Sequence, residues 1–101
     1  MKQNYKSKLN VNKKEIDMNP FVEDFVSHVS VGIVNSLKGV DYLKTVEIHL
    51  DKSEVKIKVN GEEIKVTPFP NDFIANTIRG LVSSLKGVDE ITTVSVKVDI
   101  Y

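Results

Sequence analysis

Apolar and polar residues alternate from Tyr5 to Val11, with Tyr5, Ser7, Leu9 and Val11 on one side and Lys6, Lys8 and Asn10 on the other. This period of two is the pattern of a half-buried strand. Ile16 and Met18 continue the apolar side after a turn at Asn12-Lys13. The same alternation recurs through Val46, Ile48 and Leu50, through Val55, Ile57 and Val59, through Ile64 and Val66, and through Val94, Val96, Val98 and Ile100. Asn60-Gly61 separates two of these runs, and an Asn-Gly pair so placed is the strongest short-range hairpin signal. Lys13 stands where the second turn has Gly61, so the first turn is expected to be the more strained.

A period near 3.6 replaces the alternation after each hairpin. Phe21, Phe25, Val26, Val29, Ile33 and Leu37 form one stripe, and Phe69, Phe73, Ile74, Ile78, Leu81 and Leu85 another; both are expected to face the core. Asn19 and Thr67 are candidate N-caps, and Pro20 and Pro68 follow at the first helical position, where a missing N–H costs nothing. Both helices run into the same six residues, SLKGVD, at Ser36 to Asp41 and Ser84 to Asp89. Read physically, this is a helix stop: Lys38 and Lys86 near the negative end of the dipole, Gly39 and Gly87 in the left-handed position, Val40 and Val88 folding back.

The recurrence extends well beyond SLKGVD. Displacing the chain on itself by about 48 residues matches about 19 of 41 positions, and a period of that size marks one supersecondary unit per repeat. Two β-β-α-β repeats, about 5–51 and 53–101, are therefore expected to share one core in a single domain of 101 residues. The fold class follows as α+β, a two-layer sandwich: six strands in one mixed, mostly antiparallel sheet, with two helices on one face. The expected strand order is sequential, 1-2-3-4-5-6. The alternative inserts each repeat's first strand between the two that flank its helix. Gly32 and Gly80, mid-helix and equivalent, predict a close approach of helix to helix or helix to sheet.

Hairpin geometry also predicts the registers. Ile57 should oppose Ile64, Val55 Val66, and Lys58 Glu63; Leu50 should oppose Val55, Ile48 Ile57, and Glu47 Lys58; Leu9 should oppose Ile16 and Lys8 Asp17. Most charges on the open sheet face then meet an opposite charge, and Lys56 opposite Lys65 is the exception.

Composition narrows the function by exclusion. Fourteen basic and fourteen acidic residues give a formal charge of zero, which lacks the footprint of a protein bound to nucleic acid or anionic lipid. There is no cysteine for thiolate chemistry or thiolate metal sites, and no apolar run or leader suggests a membrane or secretion, so a cytoplasmic protein is expected. Glu47, His49 and Asp51 share one side of a strand, but residues two apart lie roughly 6.7 Å from each other, so the three cannot ligate one ion. His28 reads as a helix-surface histidine. Ser36, Ser83 and Ser84 lie at helix ends without a neighbouring histidine, and no phosphate-binding glycine motif occurs. Glu23, Asp24 and Asp72 already occupy the helix starts as carboxylates, which disfavours an anion site there.

No cofactor is expected, and an enzyme is the less favoured class. The expected function is a small non-catalytic interaction module that associates with itself or with a protein partner, using unpaired outer strand edges. The alternative is a nucleic-acid-binding domain using Lys6, Lys8, Lys56, Lys58, Lys65 and Lys97, with Tyr101 and Tyr42 as the only aromatic residues near that face. On either reading the candidate surface is the open sheet face around Lys56, Lys58, Lys65, Glu47, His49 and Lys97.

Overall fold

The strands follow the alternating runs: β1 (Tyr5–Val11), β2 (Lys14–Glu15), β3 (Thr45–Asp51), β4 (Glu54–Val59), β5 (Glu62–Ile64) and β6 (Thr93–Ile100). The helices are α1 (Pro20–Ser36) and α2 (Pro68–Ser83). The computed structural model describes residues 4–37, 42–85 and 90–101, except for the side chains of residues 68 and 69. The fold is α+β, one six-stranded sheet with both helices packed on one face. Its core draws on every long element: Leu9, Val26, Val34, Val46, Ile48, Ile57, Ile78, Val82, Val96 and Val98 are all buried.

Strand order departs from the sequential expectation. It is β2-β1-β6-β3-β4-β5, and every pairing is antiparallel rather than mixed. It is not the alternative order either, because each first strand lies beside the last strand of the other half. The chain crosses from β2 at one edge to β3 near the centre, and from β5 at the other edge to β6. A sequential order would leave the seven-residue β1 and eight-residue β6 as long open edges. The observed order puts strands of two and three residues there instead. Long strands pair along their whole length, β1 with β6 and β6 with β3.

Contacts spaced about 48 residues apart recur across this arrangement. Asn12 Oδ1 accepts from the Thr92 and Thr93 amides, and Asn60 Oδ1 accepts from the Lys44 and Thr45 amides. Each asparagine thus ties its own hairpin turn to the entry of the other half's last strand. Both turns need the left-handed region, with φ of 52° and 69° at Asn12 and Lys13 against 54° and 86° at Asn60 and Gly61. Lys13 carries a side chain in a conformation that costs a non-glycine residue roughly 1 kcal/mol or more, so the expected strain is present.

Hairpin registers agree with expectation where the strands persist. Ile57 opposes Ile64, Lys58 opposes Glu63, Glu47 opposes Lys58, and Leu50 opposes Val55. Leu9 accepts from the Ile16 amide at 2.8 Å. The expected pairs Lys8 with Asp17, Val55 with Val66 and Lys56 with Lys65 fall beyond the ends of β2 and β5 and do not form ladder pairs.

The helices begin as their punctuation indicates and end earlier. Asn19 Oδ1 caps the Val22 amide at 2.8 Å, while Thr67 occupies the same position without a side-chain bond. Leu37 is already extended, at φ −88° and ψ 145°, so α1 stops at Ser36, three positions before Gly39 in the sequence. The expected roles of Lys38, Gly39, Val40, Lys86, Gly87 and Val88 lie outside the described residues.

Candidate interaction surface

The open sheet face carries most of the residues expected to form a site. Glu47 and His49 on β3, Lys56 and Lys58 on β4, and Lys97 on β6 share it, whereas Lys65 lies past the end of β5. Registers run Lys8, Lys97, Glu47, Lys58 and Glu63 in one row across five strands, and Asn10, Ser95, His49 and Lys56 in the next. Glu47 stands between two lysines and Lys58 between two glutamates. Lys8 opposite Lys97 is a like-charge pair that hairpin reasoning could not anticipate, because it joins the two halves.

A short polar chain crosses this face. Ser95 Oγ lies 2.8 Å from His49 Nδ1, and His49 Nε2 lies 3.3 Å from Glu47 Oε1. With its proton on Nε2, His49 donates to Glu47 and accepts from the Ser95 hydroxyl, which is the order of nucleophile, base and orienting carboxylate. An acyl-transfer site also needs free amides to hold an oxyanion. Ser95 lies in β6, which is laddered on both sides by β1 and β3, so its strand offers none. The chain therefore reads as a satisfied cross-strand histidine. Among the described residues no three His, Asp or Glu side chains converge as metal ligands.

The sheet edges are closed by the helices. The Ser7 amide, on the outer side of β1, donates to Glu23 Oε2 at 3.0 Å, and the Val55 amide on β4 donates to Asn71 Oδ1 at 2.8 Å. Asn71 Nδ2 also donates to the Ser53 carbonyl. These side chains occupy hydrogen-bonding positions that an added strand would need. The edge strands expected to recruit a partner are therefore short, and the amides of Ser7 and Val55 on the strands beside them are already engaged.

Apolar surface appears instead on the helical layer, where the expected stripes are wrong in part. The sheet-facing side of α1 is Val26, Ser27, Ser30, Val31 and Val34, not the phenylalanines. Ser27 bonds to Ser7 across that contact, and small side chains let the helix lie close to the strand. Phe21 is 73 % exposed, Phe25 50 % and Phe73 66 %. In α2 the buried positions are Ile74, Ala75, Ile78 and Val82; Phe69 of the expected stripe lies outside the described side chains. Each helix thus has two apolar faces, and only one meets the sheet.

A groove of about 550 Å³ lies between the helices, lined by Phe21, Phe25, Val29, Thr77, Leu81 and Leu85 among others. Gly80 lines it too, and a Cβ added at Gly80 or Gly32 would meet nothing within 4 Å. Among the described residues neither glycine serves a close approach, contrary to expectation. The helices carry few free charges on this layer. Glu23 is turned to Ser7, and Arg79 bonds the Lys52 carbonyl. His28 is exposed, with Nδ1 donating to the Asp24 carbonyl at 2.7 Å and its ring edge-on to Tyr5. Among the described residues no helix is long and apolar enough to cross a membrane.

Comparison with known proteins gives no match, whether against family models, curated proteins or solved structures.

Proposed function

We propose that this protein is a small cytoplasmic interaction module without chemistry of its own, and that it docks on protein through its helical layer. The exposure of Phe21, Phe25 and Phe73 on one side of the molecule carries this reading. Scattered apolar residues are ordinary on a surface, but clustered aromatic residues beside a groove mark a contact site. A photoreactive phenylalanine analogue placed at Phe73, and separately at Lys97, tests it in the producing cell. Protein adducts are expected from position 73 and not from 97; adducts from 97 alone, or from neither, remove the reading.

Nucleic-acid binding on the open sheet face has weaker support. Its lysines alternate with Glu47, Glu63 and Asp99, and the strand positions of that face carry no aromatic residue on which a base can stack. Tyr42 and Tyr101 are exposed outside the strands, and the Tyr42 ring has the Lys44 ammonium 5.9 Å from its centre. A salt-dependent mobility shift with short RNA or DNA, abolished by Lys97→Glu, would reverse this preference.

A further inference from the structure

The helical layer presents both projecting aromatic side chains and a hollow of matching character, which identifies its occupant. We infer that the partner is a second copy of this chain, packed helical layer to helical layer about a two-fold axis lying in the interface, with phenylalanines of each copy entering the groove of the other. This rests on the reading of the helical layer as a docking surface.

Area decides between occupants. A phenylalanine buries about 200 Å², so the exposed fractions of Phe21, Phe25 and Phe73 amount to about 350–400 Å² per copy. A standard interface covers about 800 Å² per partner, so the aromatic residues alone supply nearly half of one. The molecule is a slab of 36 × 33 × 18 Å, and its broad face has room for the remainder. A small ligand filling the groove would leave Phe73 uncovered, since Phe73 is not part of the groove lining. A flat apolar partner of similar breadth is required, and the same face of another copy is one.

Charge and backbone point the same way. Among the described residues, Asp24 and Asp72 are the helix carboxylates not engaged by a hydrogen bond or ion pair, and the groove lining contains no ionised side chain. Two such faces meet without burying an unpaired charge at the centre. Gly32 and Gly80 are exposed in mid-helix, where glycine is unfavourable and nothing among the described residues uses the missing side chain. A partner phenylalanine seated on bare helix backbone accounts for both. A self-complementary patch is also what a closed two-fold dimer needs.

The test combines sedimentation velocity over a concentration series with cysteine cross-linking, since the chain has no cysteine of its own. Wild type is expected to reach twice the monomer mass and stop. Phe25→Asp with Phe73→Asp should weaken association by about 30-fold or more, the loss typical of central aromatic anchors. Gly32→Ala with Gly80→Ala should raise the melting temperature of dilute monomer yet weaken the dimer, a split that a merely structural role for the glycines would not give. Thr77→Cys should cross-link to itself under oxidation, and Lys8→Cys should not. A wild type that stays monomeric at every concentration overturns the inference, as does a dimer that is unaffected by the phenylalanine variants or cross-links through Lys8→Cys. Cellular adducts from position 73 to another protein, together with a monomeric purified chain, would overturn the second copy as partner and leave the docking surface standing.

Discussion

The two broad faces of the slab use opposite means to stay in water. On the open sheet face, charged side chains stand in rows, with Glu47 between Lys97 and Lys58 and Lys58 between Glu47 and Glu63. Most neighbours answer one another there, the exceptions being Lys8 beside Lys97, Asp51 beside Glu54, and Lys56 beside His49. The helical layer has few charges and leaves phenylalanines uncovered. A face satisfied by its own residues gives a partner little to gain, whereas an apolar face gains by every contact that removes water. The contrast teaches that charged groups in number need not leave a face with unmet interactions.

The sharpest way to break the comparison is to place the same carboxylate on the two sides of α1. Val26 is fully buried against the sheet, and Val26→Asp would bury an ion with no partner. A loss of more than about 4 kcal/mol is expected, enough to unfold a domain of this size. Phe25→Asp, one residue away, should change the stability of the monomer by no more than about 0.5 kcal/mol. Urea denaturation at low concentration checks both. Equal losses would mean that Phe25 belongs to the core and that the helical layer has no second apolar face.

Much of the fold was legible because its determinants are local. Alternation located five of the strands, whereas β2 is only Lys14–Glu15 and stops short of the Ile16 and Met18 that pointed to it. Asn19 and Pro20 located the start of α1, and a two-residue turn fixed Ile57 against Ile64. Strand order was not legible from the same signals, because it depends on which distant strands match in length and which can be left at an edge. The length of β6 was the available clue: a strand of eight residues needs long neighbours on both sides, and hairpins ending in β2 and β5 cannot supply them. The helical stripes were wrong in part for a different reason. Periodicity sums apolar residues without regard to size, and on α1 it merged two faces, one closely packed through Ser27 and Ser30 and one occupied by phenylalanine. The candidate surface read from the sequence accordingly lies on the charged face, where side-chain chemistry is conspicuous, whereas the docking surface proposed above lies on the apolar one.

Ser30 offers a smaller test of the packed side. Its hydroxyl is buried without a hydrogen-bond partner among the described residues, although Ser27 beside it bonds both Ser7 and the Glu23 carbonyl. Ser30→Ala removes an unsatisfied polar group and introduces a better helix former, so stability should rise by about 1 kcal/mol. That corresponds to a melting temperature higher by about 4–8 °C in a domain of this length. Ser27→Ala should have the opposite sign, since it strips the Ser7 hydroxyl of its partner. If both substitutions destabilise, the two serines act as one polar network and the sheet-facing side of α1 is less apolar than its neighbours imply.

The smallest effect belongs to the sheet face and bears on what that face is for. Lys8 and Lys97 are directly opposed on antiparallel strands, with Glu47 on the far side of Lys97. Lys8→Glu turns a like-charge pair into an opposite one and extends the alternation across β1, for an expected gain of about 0.3–0.5 kcal/mol at low salt. At 1 M salt the screening length falls to about 3 Å, and the gain should vanish. A nucleic-acid surface would respond differently, because Lys8→Glu would there remove a phosphate contact and place a repulsive charge beside Lys97. Measuring stability and nucleic-acid retention on the same variant separates the cases. A slightly more stable protein with unchanged retention means that the lysines serve the sheet's own charge balance; lost retention means that the repulsion between Lys8 and Lys97 is tolerated for the sake of a polyanion.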